Sequence, residues 1–339
     1  MIEVLAAPLP TSIQDFGRPG YRHLGMPLSG ALDPEWMHIA NALAGNPPSA
    51  AVLEMRLVGP RLRVHRSLVI ALGGDFGAVI ETQDGTRRPA ANWCAHILAP
   101  GEIIELGTLR SGIGYLAVEG GLQVPPVLGS RSTYVRAGIG GLDGRCLRAG
   151  DTLEIDPAKP STAQRLSARP QLDAGPIRVI AGPQGEYFTA AAWADFLGAE
   201  FTVTREADRM GLRLDGPRLA HDPTLGADIV SDAVTPGAIQ VPGDGKPIVL
   251  LADCQTVGGY PKIATVIGAD LRRLGHVLPG QTLRFAAVSL DDALAARHAA
   301  ASALDHCLAA MRPAAREFNL DALYGANLID GVIDAGHAD

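Results

Sequence analysis

The stretch PIVLLADCQTVGGYPKIATV, residues Pro247–Val266, organises the reading of the whole chain. Pro247 to Ala252 is an apolar run with the composition of a buried strand. Gly258 and Gly259 then let the backbone bend or approach another group closely, and the apolar pattern resumes at Ile263. Asp253, Gln255, Thr256, Tyr260 and Lys262 crowd polar chemistry around the bend. A hairpin with a polar tip fits this pattern, and so does a binding site that mixes an amide, a phenol and an ammonium on a stiff turn.

The same grammar of short strands and glycine turns runs outward in both directions. Forty glycines and twenty-five prolines against 5% aromatic residues imply many turns and short strands. Strands are expected at Ile2–Ala6, Val52–Val58, Arg61–Val64, Leu68–Leu72, Ala78–Thr82, Ile97–Leu98, Ile103–Leu106, Tyr115–Val118, Leu153–Ile155 and Ile177–Ile180. Their even spacing suits a barrel or sandwich. Helices are signalled after Asp33 and Pro34, with Trp36, Ile39, Ala40 and Leu43 on the core face, and at Ala190–Leu197 behind a Thr189 cap. A long alanine-rich helix opens at Ser289 or Asp291 and stops near Met311. The apolar stretch Leu328–Ile333 is expected to dock as a last strand. Pro157–Pro176 reads as a linker, which sets units at 1–160, 175–288 and 289–339.

An internal repeat supports two related halves. Gly59-Pro60-Arg61-Leu62 returns as Gly216-Pro217-Arg218-Leu219, Leu68–Leu72 as Ile248–Ala252, and Ala99-Pro100-Gly101-Glu102 as Leu278-Pro279-Gly280-Gln281.

With 339 residues, 47% hydrophobic, the chain has ample material for a core. A net charge of −7 argues against nucleic-acid or anionic-membrane surfaces, which need clustered Lys and Arg. Cys94, Cys146, Cys254 and Cys307 lack the paired spacing of a zinc or redox site, so free thiols, no metal and a cytoplasmic setting are expected. The amino terminus lacks the basic region and clean apolar core of a signal peptide. Asp244-Gly245-Lys246-Pro247 superficially resembles a phosphate loop but has Pro247 where Ser or Thr should hold magnesium. Gly138-Ile139-Gly140-Gly141 lacks the flanking elements of a dinucleotide site. Arg, Tyr, Gln and Lys on glycine-rich loops do recur, and such donors suit a small carboxylate or a polarised carbonyl. Arg18, Arg131 and Arg209 could equally tie loops down through backbone carbonyls. Cys254 reads as a reactive thiol or, with no base beside it, as a small buried side chain.

Five segments together carry a family resemblance: Ser12–Asp33 (SIQDFGRPGYRHLGMPLSGALD), Val118–Tyr134, Asp208–Leu219 (DRMGLRLDGPRL), Ser231–Val266 and Asn327–Ala335 (NLIDGVIDA). The chain resembles the biotin-dependent carboxyltransferase-like proteins. These include the C component of 5-oxoprolinase (the KipA-type protein), the second component of allophanate hydrolase and part of the urea carboxylase carboxyltransferase domain. Ala207 stands where the pattern has Ser, and Cys254 where a basic residue is usual. The resemblance implies a mainly β fold of two cyclophilin-like β-barrel halves with a C-terminal helical extension. It also implies an ATP-dependent 5-oxoprolinase complex, formed with a KipI-type partner and a LamB/YcsF-type partner, that hydrolyses 5-oxoproline to glutamate. ATP then belongs to the complex, on a component the sequence does not identify.

On that reading Lys262 stabilises the developing oxyanion, Tyr260 and Gln255 orient the substrate, and Asp253 holds the turn or Lys262. Arg209 is the expected carboxylate clamp, with Arg18, Tyr21, Arg131 and Gln240 as further substrate-binding candidates. An alternative is carboxyl transfer from carboxybiotin, on a separate carrier, to urea or a similar small amide. A third is a non-catalytic antagonist of a KipI-type kinase inhibitor.

Overall fold

The computed structural model describes residues 1–156 and 163–314. The expected docking strand at Leu328–Ile333 and the segment Asn327–Ala335 lie outside the described residues, as do residues 157–162.

Two large sheets, with a two-stranded ribbon of Asp232–Ala233 and Val257–Gly258 beside them, make up the described residues. The first half is one twelve-stranded sheet, and the second is an eight-stranded sheet that nearly closes into a barrel. Closure comes from one short stretch of chain. Thr282–Leu283 pairs with Phe201–Ala207, and Phe285–Ala287, just beyond Arg284, pairs with Ile177–Ala181 at the other end of the sheet. Among the described residues four α-helices accompany the sheets: α1 (Pro34–Leu43), α2 (Ala190–Gly198), α3 (Gly268–Gly275) and α4 (Leu290–Ala309).

Several elements follow directly from local chemistry. Asp33 caps α1 by accepting from the Glu35 and Trp36 amides, and Trp36, Ile39, Ala40 and Leu43 are buried as their spacing requires. Thr189 caps α2, and Ser289 forms a reciprocal capping box with Asp292 at α4. Strands Val52–Val58 and Arg61–Val64 have their expected bounds.

Others differ for reasons that are not local. Ile103–Leu106 and Tyr115–Val118 are the two ends of a single strand, Ile103–Val118. Its first part pairs with Arg61–Val64 and Phe76–Glu81, and its second with Val52–Val58 and Leu68–Gly73. Gly107, Gly112 and Gly114 look like strand ends in the sequence but sit inside this strand. Part of the expected linker is a strand too. Gln164–Leu166 pairs with Met311–Pro313 and touches Cys94, stitching the segment after α4 to the first half. Helix α3 carries no side-chain cap and two adjacent arginines, so the sequence offers little sign of it. Pro247–Val266 is not a simple hairpin. Ile248–Leu250 and Lys262–Val266 do not pair with each other, because Ala238–Gln240 lies between them and bonds to both.

The last of the three repeated stretches, Ala99–Glu102 and Leu278–Gln281, is a repeated turn. Gly101, at φ 85°, donates to the Val64 carbonyl, and Glu102 folds back to accept from the Ala99 amide. Gly280, at φ 89°, donates to Val203 while Gln281 accepts from Leu278. Gly150, at φ 90°, donates to Val4, and Asp151 accepts from Arg148. The positive φ explains the glycine, and a side-chain acceptor one residue later closes the turn.

The halves share one core. A cluster of buried side chains runs from Trp36, Leu43 and Tyr115 in the first half to Phe196, Ile263 and Phe285 in the second. A further cluster, including Ile2, Leu53, Ile70 and Leu116, belongs to the first half alone. Where α1 meets α3, His276 bonds the Asp33 carboxylate at 2.9 Å, and Arg272 lies 3.4 Å from Asp33 and 3.2 Å from Glu35. Burial pushes the Glu35 carboxyl up from 4.5 to about 6, Arg272 opposes the rise, and Asp33 adds to it. An acid that binds its proton more tightly when folded stabilises the fold below its unfolded pKa and loses that contribution as pH rises through the folded one. The unfolding free energy should therefore fall by about 2 kcal/mol between about pH 4.5 and pH 7. Urea titrations across that range should show the slope in the wild type and lose it in Glu35→Gln; an equal slope in both would place its origin elsewhere.

Candidate functional site

The loop Asp15–Asp33 leaves the first half, crosses to the second and returns. Gly17 and Gly30, at φ 83° and 86°, come so close that a Cβ on either would collide with the other strand of the loop. Ser29 donates its amide to the Ala252 carbonyl, and Arg22 reaches the carbonyls of Val234 and Gln255. Two stretches singled out in the sequence, more than two hundred residues apart, are thus laid against each other.

Arg209 holds the seam together. Its Nε donates to Asp253 Oδ2 at 2.9 Å and its Nη2 to Asp253 Oδ1 at 3.2 Å. The same guanidinium pairs with Glu54 across the seam, and Nη2 also donates to the Gly30 carbonyl and, at 3.4 Å, to Gln14 Oε1. Burial works against its charge, but Glu54 and Asp253 outweigh burial and hold the guanidinium above its ordinary pKa. Glu54 is itself buried and accepts from the Leu32 amide and the Tyr115 hydroxyl, each at 2.8 Å. The Tyr115 oxygen in turn accepts from the Asp33 amide at 2.9 Å. Burial and the neighbouring Glu54 push this phenol well above its usual range, so it stays a donor. One continuous polar chain therefore runs Asp253–Arg209–Glu54–Tyr115–Asp33 across the seam.

A cavity of about 470 Å³ lies beside this chain and is walled by both halves, with Ser12, Glu54, Arg56 and Cys146 from one and Asp208, Arg209, Met210 and Asp253 from the other. A second cavity of about 500 Å³ shares Arg136, Ala207, Asp208 and Met210 with it, and adds Gln240, Gln255 and Tyr260. The two are adjoining lobes of one cleft.

The expected site residues fall into groups. Tyr260, Gln255 and Gln240 come together in the second lobe, where Gln255 Nε2 donates to Gln240 Oε1 at 3.2 Å. Arg209 and Asp253 line the first lobe. Lys262 is buried and lines neither lobe; its Nζ donates to Asp232 at 2.8 Å, and Gln184 also bonds that carboxylate. Arg18 is fully buried, with one bond to the Ser132 carbonyl, while its Nε and Nη1 have no partner. Burial lowers its pKa, against the pull of Asp15 and Asp253. Arg131 donates its Nε to the Val124 carbonyl at 3.0 Å, the loop-tying arrangement. Tyr21 is half-buried beside Arg22, and its carbonyl accepts from Leu24 and Met26. Cys254 is fully buried, and burial pushes its thiol up. No group of His, Cys, Asp and Glu suited to a metal occurs among the described residues.

Sequence reasoning missed Asp15, Glu54 and Arg56. Asp15 sits in the quoted loop and accepts from the Gly17 amide, the Arg131 amide and both the Ser130 and Ser132 hydroxyls. Glu54 left a usable signal. It is a carboxylate between Leu53 and Met55 in a strand that is otherwise buried there, and such a residue needs a partner.

Two interlocked β halves thus wall a cleft along their seam, apolar with a few charged side chains in its first lobe and more polar in its second. The chain belongs to the family described as carboxyltransferase domain, subdomain A and B, whose model matches residues 24–287. It is 37% identical to the C component of the 5-oxoprolinase of Escherichia coli (strain K12) over 88% of this chain and 94% of the relative. The corresponding 5-oxoprolinase component of Haemophilus influenzae is 36% identical over 86% and 93%. Among solved structures, the urea amidolyase of K. lactis superposes with a TM-score of 0.83 at 30% identity, covering 90% of this chain and 20% of that one. The chain thus spans about a fifth of that longer enzyme. No described helix is long and apolar enough to cross a membrane.

Proposed function

We propose that the chain holds a small amide or lactam in the seam cleft, as the carboxyltransferase-type component of a larger enzyme. The observation that carries this reading is Arg209, which draws Glu54 from one half and Asp253 from the other to the wall of one cavity. Such a site exists only in the assembled pair of halves. An amide carbonyl is resonance-stabilised, so either reaction at the amide requires charge on its oxygen or nitrogen to be stabilised by prepositioned donors. The amides of Gln240 and Gln255 and the phenol of Tyr260 are such donors in the second lobe. The buried Arg209 network, one guanidinium held between Glu54 and Asp253, fixes the wall of the first lobe so that it needs no reorganisation. Lys262, already engaged with Asp232, acts from outside the cleft by fixing the strand that carries it.

Carboxyl transfer to urea or a similar amide is the reaction supported by the family match and the urea amidolyase structure. A carboxylated biotin on a separate carrier would supply the carboxyl group. The first lobe fits a flat carboxylated ring, with Pro10, Leu57, Met210 and Pro279 as walls and Arg56 beside them. ATP-dependent opening of 5-oxoproline is supported by the two bacterial 5-oxoprolinase components matched along nearly their whole length. Its KipI-type and LamB/YcsF-type partners remain part of that second proposal, with ATP held on one of them. Lys246, in the stretch resembling a phosphate loop, is engaged with Asp215 at 2.7 Å, so no nucleotide step is assigned to this chain.

The chain should be assayed with a biotin carboxylase and carrier for retention of labelled bicarbonate in a urea product. In parallel, it should be assayed with the two oxoprolinase-type partners for 5-oxoproline-dependent ATP hydrolysis and glutamate release. Retained label supports carboxyl transfer, glutamate supports lactam opening, and silence in both reconstituted systems overturns the catalytic reading.

A further inference from the structure

We propose that Arg56, assisted by Arg136 at the mouth, binds the carboxylate of a small ring-bearing substrate in the first lobe of the cleft. Resting on the functional reading above, this names the charge of the ligand. The sequence points to Arg209 for that task, but the Arg209 donors are taken by Glu54, Asp253, Gly30 and Gln14. Arg56 stands two residues from Glu54 on strand Val52–Val58, so both project on the same face into the cavity. Its guanidinium has no hydrogen-bond partner among the described residues, and neither has that of Arg136. Burial lowers the Arg56 pKa, Glu54 and Asp208 raise it, and Arg209 lowers it. A guanidinium remains charged under such pressures, and a half-buried one that faces a cavity without a protein partner keeps its donors available for an anion.

The surroundings define the anion. One half-buried guanidinium, facing the cavity, presents a flat fork that matches a carboxylate in bidentate fashion. Glu54 and Asp208 line the same lobe and would repel a dianion, which disfavours a phosphate monoester. Pro10, Leu57, Met210 and Pro279 give the carboxylate's ring an apolar bed. Two molecules share this chemistry: a lactam acid such as 5-oxoproline, and the N-carboxylate of carboxybiotin.

Equilibrium binding of labelled 5-oxoproline and of the uncharged lactam 2-pyrrolidinone should be measured on the full chain and on Arg56→Gln. Decarboxylation of free carboxybiotin should be followed with the same two proteins. Thermal unfolding of the variant checks its fold, and Arg56→Lys provides a second variant that keeps the charge but not the fork. The expected result is a loss of about tenfold or more for one carboxylated ligand in Arg56→Gln, a smaller loss in Arg56→Lys, and no change for 2-pyrrolidinone. Dependence confined to 5-oxoproline identifies the lactam acid as the source. Dependence confined to carboxybiotin identifies the carrier's carboxylate, and lactam opening then fails while the anion site stands. Equal handling of both carboxylates by wild type and Arg56→Gln, or no response to either in the wild type, overturns the Arg56 assignment and leaves the turnover assays to judge the reaction.

Discussion

Arg209→Ala should unfold the seam, at a cost of about 3–5 kcal/mol in chemical denaturation, and abolish turnover in any reconstituted system. The substitution removes the cation from two buried carboxylates at once, Glu54 and Asp253, and from the Gly30 carbonyl. Each carboxylate keeps its desolvation penalty with its attraction gone. Arg209→Lys should recover only part of the loss, since one ammonium cannot address Asp253 through two nitrogens while also reaching Glu54. Pairing Arg209→Met with Glu54→Gln and Asp253→Asn offers a control, because removing all three charges should restore stability without activity. A stable, active Arg209→Ala would show that the two halves do not depend on this network.

Asp15→Ala should have an effect of similar size, about 3–4 kcal/mol, by a different route. The Asp15 carboxylate gathers four donors, from the loop at 130–132 and from Gly17. It is also the leading favourable charge acting on the fully buried Arg18, two of whose nitrogens have no hydrogen-bond partner. Alanine leaves these amides and hydroxyls unsatisfied and the guanidinium less compensated. Hydrogen exchange should then accelerate at Arg131 and Thr133 before the rest of the first half. Unchanged protection there would deny Asp15 its role as the organiser of the loop.

How far the molecule could be read in advance depended on the range of the interactions. Helix α1 was legible because Asp33, Pro34 and four apolar side chains at helical spacing act within a dozen residues. The mainly β class was legible for the same reason, through alternation and glycine turns. The single strand Ile103–Val118 was not, because its interior glycines mark a change of strand partners, and partners are chosen by distant chain. In the site, Tyr260, Gln255 and Gln240 line one lobe, since the turn and the strand beside it bring them together. Lys262 was expected among them, but Asp232 on a separate short strand takes its ammonium.

Local patterning by itself determined that the chain forms many short strands, where its capped helices begin, and which glycine turns recur. It also carried the family resemblance. Tertiary structure alone decided which charges are spent and which are free. Arg209 and Arg56 are indistinguishable as letters, yet one is saturated by carboxylates from both halves and the other faces a cavity without a partner among the described residues. The physical reason is that the fate of a buried charge is set by groups within a few ångströms, and here those groups come from positions such as 14, 30, 54 and 253 that only folding brings together.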